Sequence, residues 1–186
     1  MSLIPFGFWA ASGGGAAGAY DLLETTTLTS SASSVTFTGL GSYSDYAHLQ
    51  VRYVARTTYS GARGLRTTIN GDTSSAYAYH LLHAYGSGVS SSGVSSANFI
   101  DAPDTLPGTS FSSGIFGFGL QDILDFGNSS KNKTMKFFAA QATNTRFYFG
   151  SGMRNNTAAI TSLTYTPEGG SFIAGTRFSI YGIKGA

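Results

Sequence analysis

The stretch Ile160-Thr-Ser-Leu-Thr-Tyr-Thr-Pro-Glu-Gly-Gly-Ser-Phe-Ile-Ala-Gly-Thr-Arg-Phe-Ser-Ile-Tyr-Gly-Ile183 decides the fold class. It reads as two strands folded about a Pro167-Glu168-Gly169-Gly170 turn, since Pro presets φ at the first central position of a turn and Gly accepts φ > 0. In the second strand Phe178 and Ile180 share one face and Arg177, Ser179 and Tyr181 the other, because strand side chains alternate with period two. One face is built for a core, and the other can meet water or a partner.

Upstream the same pattern repeats. Residues 20–29 are Thr-rich and β-prone, and residues 35–38 resume with Val35 and Phe37 on one face. Residues 47–57 form an amphipathic strand with Leu49, Val51, Tyr53 and Ala55 inward and His48, Gln50, Arg52 and Arg56 outward. Residues 65–69 run into Asn70-Gly71, a hairpin signal that predicts the return of residues 76–84 against them. Residues 86–96, a Gly/Ser tract, read as a loop, and residues 99–108 as an irregular connection whose two prolines bar a central strand. In residues 115–124, Gly117 and Gly119 interrupt large apolar residues, which points to a bent strand where another backbone comes close. Residues 134–142 and 146–150 complete the series. Roughly eight to ten short strands without a helical period imply an all-β fold, a two-sheet antiparallel sandwich of the jelly-roll kind.

A chain of 186 residues fits one domain with a sizeable core. Charged residues make up 11% and there are 25 Gly, so Ser, Thr, Asn and Gly must cover the surface. Such a surface repels its neighbours weakly, which suits a protein packed against others. The eleven Lys and Arg are spread between Arg52 and Lys184, and the Lys131–Lys136 run reads as a solvated turn, so no nucleic-acid partner is expected. The absence of Cys excludes disulfides and thiolate metal sites and is compatible with assembly in a reducing cytoplasm. No apolar run approaches the roughly 18 residues of a membrane span. Leu3–Ala11 lacks preceding basic residues and contains Pro5, which argues against a signal peptide.

The domain is therefore expected over residues 20–186, behind an extended N-terminal arm, residues 1–19. In that arm Ile4, Phe6, Phe8 and Trp9 precede a small-residue tether, Ser12-Gly-Gly-Gly-Ala-Ala-Gly-Ala19. Each large side chain left in water forgoes about 1.5–3 kcal/mol of burial, so the arm must dock, on its own domain or on a neighbour.

Catalytic patterns are missing. His80 and His83, three residues apart, fall on opposite faces of a strand and cannot share a metal there. Asp101 with Asp104, and Asp122 with Asp125, sit beside loop signals, where Asp commonly bonds local backbone. There is no Gly-x-Ser-x-Gly elbow, and Gly117-Phe-Gly119 lacks the rest of a phosphate loop. No catalytic residue, metal site or cofactor is expected. Tyr43, Tyr59, Tyr77, Tyr79 and Tyr85 fall near loops or outward faces and are candidates for a sugar platform or a protein interface, with strand packing as the alternative.

Six segments together resemble small virion structural proteins of tailed bacteriophages. They are Tyr20-Asp-Leu-Leu-Glu-Thr-Thr, Ser30-Ser-Ala-Ser-Ser-Val-Thr-Phe37, His48-Leu-Gln-Val-Arg-Tyr-Val-Ala-Arg56, Ile69-Asn-Gly-Asp72, Lys131-Asn-Lys-Thr134 and Phe178-Ser-Ile-Tyr-Gly-Ile-Lys184. The resemblance spans nearly all of residues 20–184 and rests on strand cores and turns. It implies a β-sandwich in the virion, assembled in the host cytoplasm as a homo-oligomer, a trimer on the capsid. As a capsid decoration (cement) protein it would bind the major capsid protein or another virion protein, with Ile4, Phe6, Phe8 and Trp9 as anchors. A tail-fibre module that binds a receptor or glycan is the alternative.

Overall fold

A computed structural model describes residues 19–141 and 145–185, so the arm and its anchors Ile4, Phe6, Phe8 and Trp9 lie outside the described residues. The strands are β1 (Tyr20–Thr27), β2 (Val35–Phe37), β3 (His48–Ala55), β4 (Arg63–Ile69), β5 (Tyr77–Tyr85), β6 (Gly88–Ala97), β7 (Ile100–Leu106), β8 (Gly117–Leu124), β9 (Lys133–Gln141), β10 (Arg146–Arg154), β11 (Leu163–Pro167) and β12 (Arg177–Ile183). They pair, antiparallel throughout, into an eight-stranded sheet ordered β1-β12-β3-β8-β9-β10-β5-β6 and a four-stranded sheet ordered β2-β11-β4-β7. With the β5–β6 and β9–β10 hairpins set aside, the chain alternates between sheets at every step but one, β4 to β7, which are neighbours in the small sheet. The orders β1-β12-β3-β8 and β2-β11-β4-β7 are those of a jelly roll. The two hairpins are insertions that widen the large sheet alone.

The core lies between the sheets. Phe37, Leu65, Leu163 and Tyr165 of the small sheet meet Leu49, Val51, Phe178 and Ile180 of the large one, all fully buried. This pairing explains why residues 160–183 do not form the expected hairpin. Placed side by side in one sheet, the apolar faces of β11 and β12 would lie in one plane; placed in opposite sheets they face each other, and Tyr165 stacks on Phe178 with centroids 4.9 Å apart. The Pro167–Gly170 stretch starts a longer crossing, in which Phe172 bridges both Ala32 and Thr57 and closes the gap between sheets.

Other expectations change for related reasons. Asn70 (φ 54) and Gly71 (φ 66) do turn the chain, but β5 leaves β4 and joins β10 in the large sheet, while the Tyr77 hydroxyl accepts from Ile69 N–H at 2.9 Å. Residues 88–97 of the Gly/Ser tract form a full edge strand, held by pairing with β5 rather than by side chains. Pro103 sits within β7, which is an edge strand and so tolerates a missing donor. Arg56, expected outside, is buried; its guanidinium donates to the carbonyls of Phe111, Ser112 and Ile115 and pins the β7–β8 connection. Gly117 and Gly119 meet the close approaches anticipated, to the Thr105 carbonyl and the Tyr53 ring.

Candidate functional site

β8 and β10 reverse the usual distribution of size across a sheet. On β8 the inward positions include Gly117 and Gly119, whose space is filled by Thr105 and Tyr53, while Phe118 and Leu120 point outward. On β10 Gly150 and Gly152 face in, against the Phe137 ring and Ile100, while Phe147 and Phe149 point out. The sheet registers then line these outward residues into two rows. One runs Val54, Phe118, Ala140, Phe147, Ala84, Val89 across β3, β8, β9, β10, β5 and β6. The next runs Leu120, Phe138, Phe149, Leu82.

These side chains touch one another and also face outward. Phe138 lies 6.0 Å from Phe118 and 5.0 Å from Phe147, centroid to centroid, and the Phe138–Phe147 contact is edge-on. Exposure remains high, with Val54 at 38%, Phe118 46%, Phe149 49%, Leu82 50% and Val89 71%. A polar row bounds the patch on one side. There Gln50 donates to Asp122 at 2.6 Å, Lys136 Nζ lies 3.3 Å from Asp122, and Ser151 and His80 continue the line. At the β3 end Arg52 donates to Gln50 at 2.7 Å and lies 4.5 Å over the Tyr181 ring. An apolar quadrant with a polar rim is the form of a protein-binding surface.

The tyrosines singled out from sequence are scattered. Tyr77 and Tyr79 belong to the core, and Tyr43 is half-buried against it, so three of the five rings are withdrawn from any surface platform. Strand alternation explains this: the odd-numbered positions of β5 face inward as far as Leu81. Tyr59 and Tyr85 are exposed, but each ring is covered by an arginine, Arg63 at 3.6 Å and Arg146 at 4.5 Å. Phe118, Phe138, Phe147, Phe149 and Leu82 escaped the sequence reading. The signal was present in Gly117-Phe-Gly119 and Phe149-Gly-Ser-Gly152, where glycines mark the crowded inner face and so assign the Phe residues to the outer one.

Polar candidates are engaged in local structure. His80 lies on the outer face in register with Ser151, whereas His83 on the inner face bonds Ser90 at 2.7 Å and stacks on Tyr148. Asp101 is buried, Asp104 is bound by Arg146, and Asp125 by Lys131 at 2.9 Å. Among the described residues no group of three or more His, Asp or Glu could hold a metal ion, and no helix is long and apolar enough to cross a membrane.

No family model matches the chain, and no curated protein matches it. Among solved structures it is similar to the CBM40 module of the Ruminococcus gnavus IT-sialidase, described as bound to α2,6 sialyllactose, at 12% identity and TM-score 0.29, covering 89% of this chain and 93% of that one. The same module bound to α2,3 sialyllactose gives 13% identity and TM-score 0.28, covering 89% and 92%.

Proposed function

We propose that this chain is a non-enzymatic structural protein of a tailed-phage particle, a capsid decoration protein that docks on its neighbours through the outer face of its large sheet. The apolar quadrant around Phe118, Phe138, Phe147 and Phe149 carries the reading. A domain that works alone seldom leaves rings in contact with one another across several strands in water, whereas a subunit of an assembly buries them. The 11% of charged residues supports it, because few like-charge penalties arise when subunits pack. The sequence resemblance to small virion proteins supplies the setting.

The test is binding to purified particles that lack this protein. Wild-type protein is expected to bind saturably, and a Phe118→Asp, Phe149→Asp variant to remain folded, with a lower melting temperature, while losing binding. Equal binding by that variant would remove the quadrant from the contact and the proposal with it. A glycan array provides the counter-test: reproducible hits lost in Tyr59→Ala or Tyr85→Ala would point instead to a tail-fibre receptor-binding module.

A further inference from the structure

A sheet edge is a row of unpaired N–H and C=O groups, and proteins blunt such edges with charge, proline, bulges or shortness. Among the described residues three of the four edges are blunted. β1 carries Asp21 and Glu24 and is bulged between Leu22 and Glu24. β2 has three residues. β7 contains Pro103, and its Asp104 stands at φ 51. β6 is the least protected. Its ten residues contain no charge and no proline, and nine of the ten are exposed. The register irregularity in its pairing with β5 lies at the Ala97 end, leaving Gly88–Val94 regular. A Ser- and Gly-rich strand gains little from its own side chains, so a second neighbour would stabilise it.

We infer that the free edge of β6 receives residues 3–9 of a second copy of this chain as a ninth strand. The inference rests on the proposed assembly role only in requiring neighbours. In Leu3-Ile-Pro-Phe-Gly-Phe-Trp9, Ile4, Phe6 and Phe8 have the spacing of one strand face, and Pro5 alternates with them. Residues on one face also turn their amides toward one edge, so Ile4, Phe6 and Phe8 can bond β6 while Pro5, which has no N–H, faces away. Pro5 then blunts the new edge. On the outer face β6 presents Val89, Ser91 and Gly93; the His80 ring fills the space over Gly93, and Ser91 is small enough for an aromatic ring to lean across it toward Leu82.

Reach decides between the chain's own arm and a neighbour's. Tyr20 opens β1 at one end of the eight-stranded sheet and β6 closes the other end, seven strand spacings away. At roughly 4.8 Å per spacing that is about 34 Å. Trp9 and Tyr20 are eleven residues apart in sequence. Pulled straight, such a segment spans about 38 Å, but a Gly-rich one has a root-mean-square length of about 18 Å. Docking on the chain's own β6 would hold the tether near its limit, whereas a neighbour's β6 can be brought to the arm. The contact is head-to-tail, and it closes into a ring where the rotation allows.

Because the chain has no Cys, single cysteines report the contact cleanly. Copies carrying Phe6→Cys and copies carrying Ser91→Cys, co-expressed and mildly oxidised, are expected to give a disulfide-linked pair, in clear excess over Phe6→Cys with Thr27→Cys on the β1 edge. A chain bearing both Phe6→Cys and Ser91→Cys should form linked oligomers. A monomer closed on itself would overturn the exchange, and linkage absent at β6 or equal at β1 would overturn the site. Trp9, the chain's one tryptophan, gives a second readout. Its emission should be blue-shifted in the assembled protein and return to that of exposed tryptophan in Ser91→Lys; an unchanged spectrum would overturn the docking. These measurements need no particle, so a failure to bind particles would remove the virion role and leave the strand exchange standing.

Discussion

Asp101 on β7 pairs in register with Arg66 on β4 and is buried, with its Oδ1 lacking a hydrogen-bond partner. Burial pushes its carboxyl up to about 7; Arg66 pulls the other way, and Glu168 and Asp104 add to the rise. Tyr79, Tyr53 and Tyr148 also face it from β5, β3 and β10. The native state therefore holds a proton that the unfolded chain, titrating near pH 4, has already released. Stability from this group is full below pH 4 and is lost as pH rises through about 7, by at most about 4 kcal/mol. Asp72 has the opposite sign. Bonds from the Ser74 hydroxyl and backbone, and then Arg154, hold it down at about 2, so its contribution is present above pH 4 and lost as pH falls toward 2. Urea unfolding between pH 3 and 8 should show a maximum near pH 4 to 5. Asp101→Asn should flatten the alkaline side; an Asn variant with the same fall would mean that other groups cause it.

Among the elements, the β7–β8 connection shows how one misplaced side chain in a sequence reading matters. Arg56 follows the amphipathic alternation of β3 by one residue, and alternation alone sends it to solvent. In the fold it lies past the strand end, where the carbonyls of Phe111, Ser112 and Ile115 converge on it. Arg56→Met should cost at least about 2 kcal/mol, since bonds from a charged donor are worth about 1.5–3 kcal/mol each and the carbonyls are left unpaired. It should also open residues 108–116 to proteolysis, whereas stable protein with an uncut connection would mean that the loop holds itself. Strand existence was legible wherever apolar residues alternated, as in β3 and β12. Strand partnership was not, because period two fixes the face of a side chain and says nothing about which sheet the strand joins. That is why residues 160–183 looked like a hairpin and why β5 was expected beside β4. β6 was illegible for another reason: it has no apolar face, and backbone pairing with β5 defines it.

Taken whole, the molecule has a jelly roll of conventional order and a large sheet twice as wide as its partner. The extra width comes from two hairpins, and those hairpins supply most of the apolar quadrant. The two-sheet sandwich was legible in the run of short alternating strands, although eight to ten were expected and the fold has twelve; the quadrant was not, because a hydrophobic residue in a strand is read as core until its glycine neighbours show that the inner side is already full. A quadrant of this chemistry makes a specific demand on how the assembly responds to salt. Net charge is +2, and the outward rings carry no charge, so association through them should persist in about 0.5 M salt, where charge pairs are screened within a few ångströms. Each half-exposed Phe that becomes covered removes about 100 Å² from water, worth roughly 2 kcal/mol or about 30-fold in affinity. Phe118→Ser and Phe149→Ser should thus each weaken self-association or particle binding about 30-fold; both variants should stay folded, with a modest fall in melting temperature because about half of each ring is already covered within the domain. Light scattering across salt and concentration separates the cases: complexes that fall apart in high salt, or that ignore both substitutions, would mean that the polar row of Gln50, Asp122 and Lys136, and not the rings beside it, makes the contact.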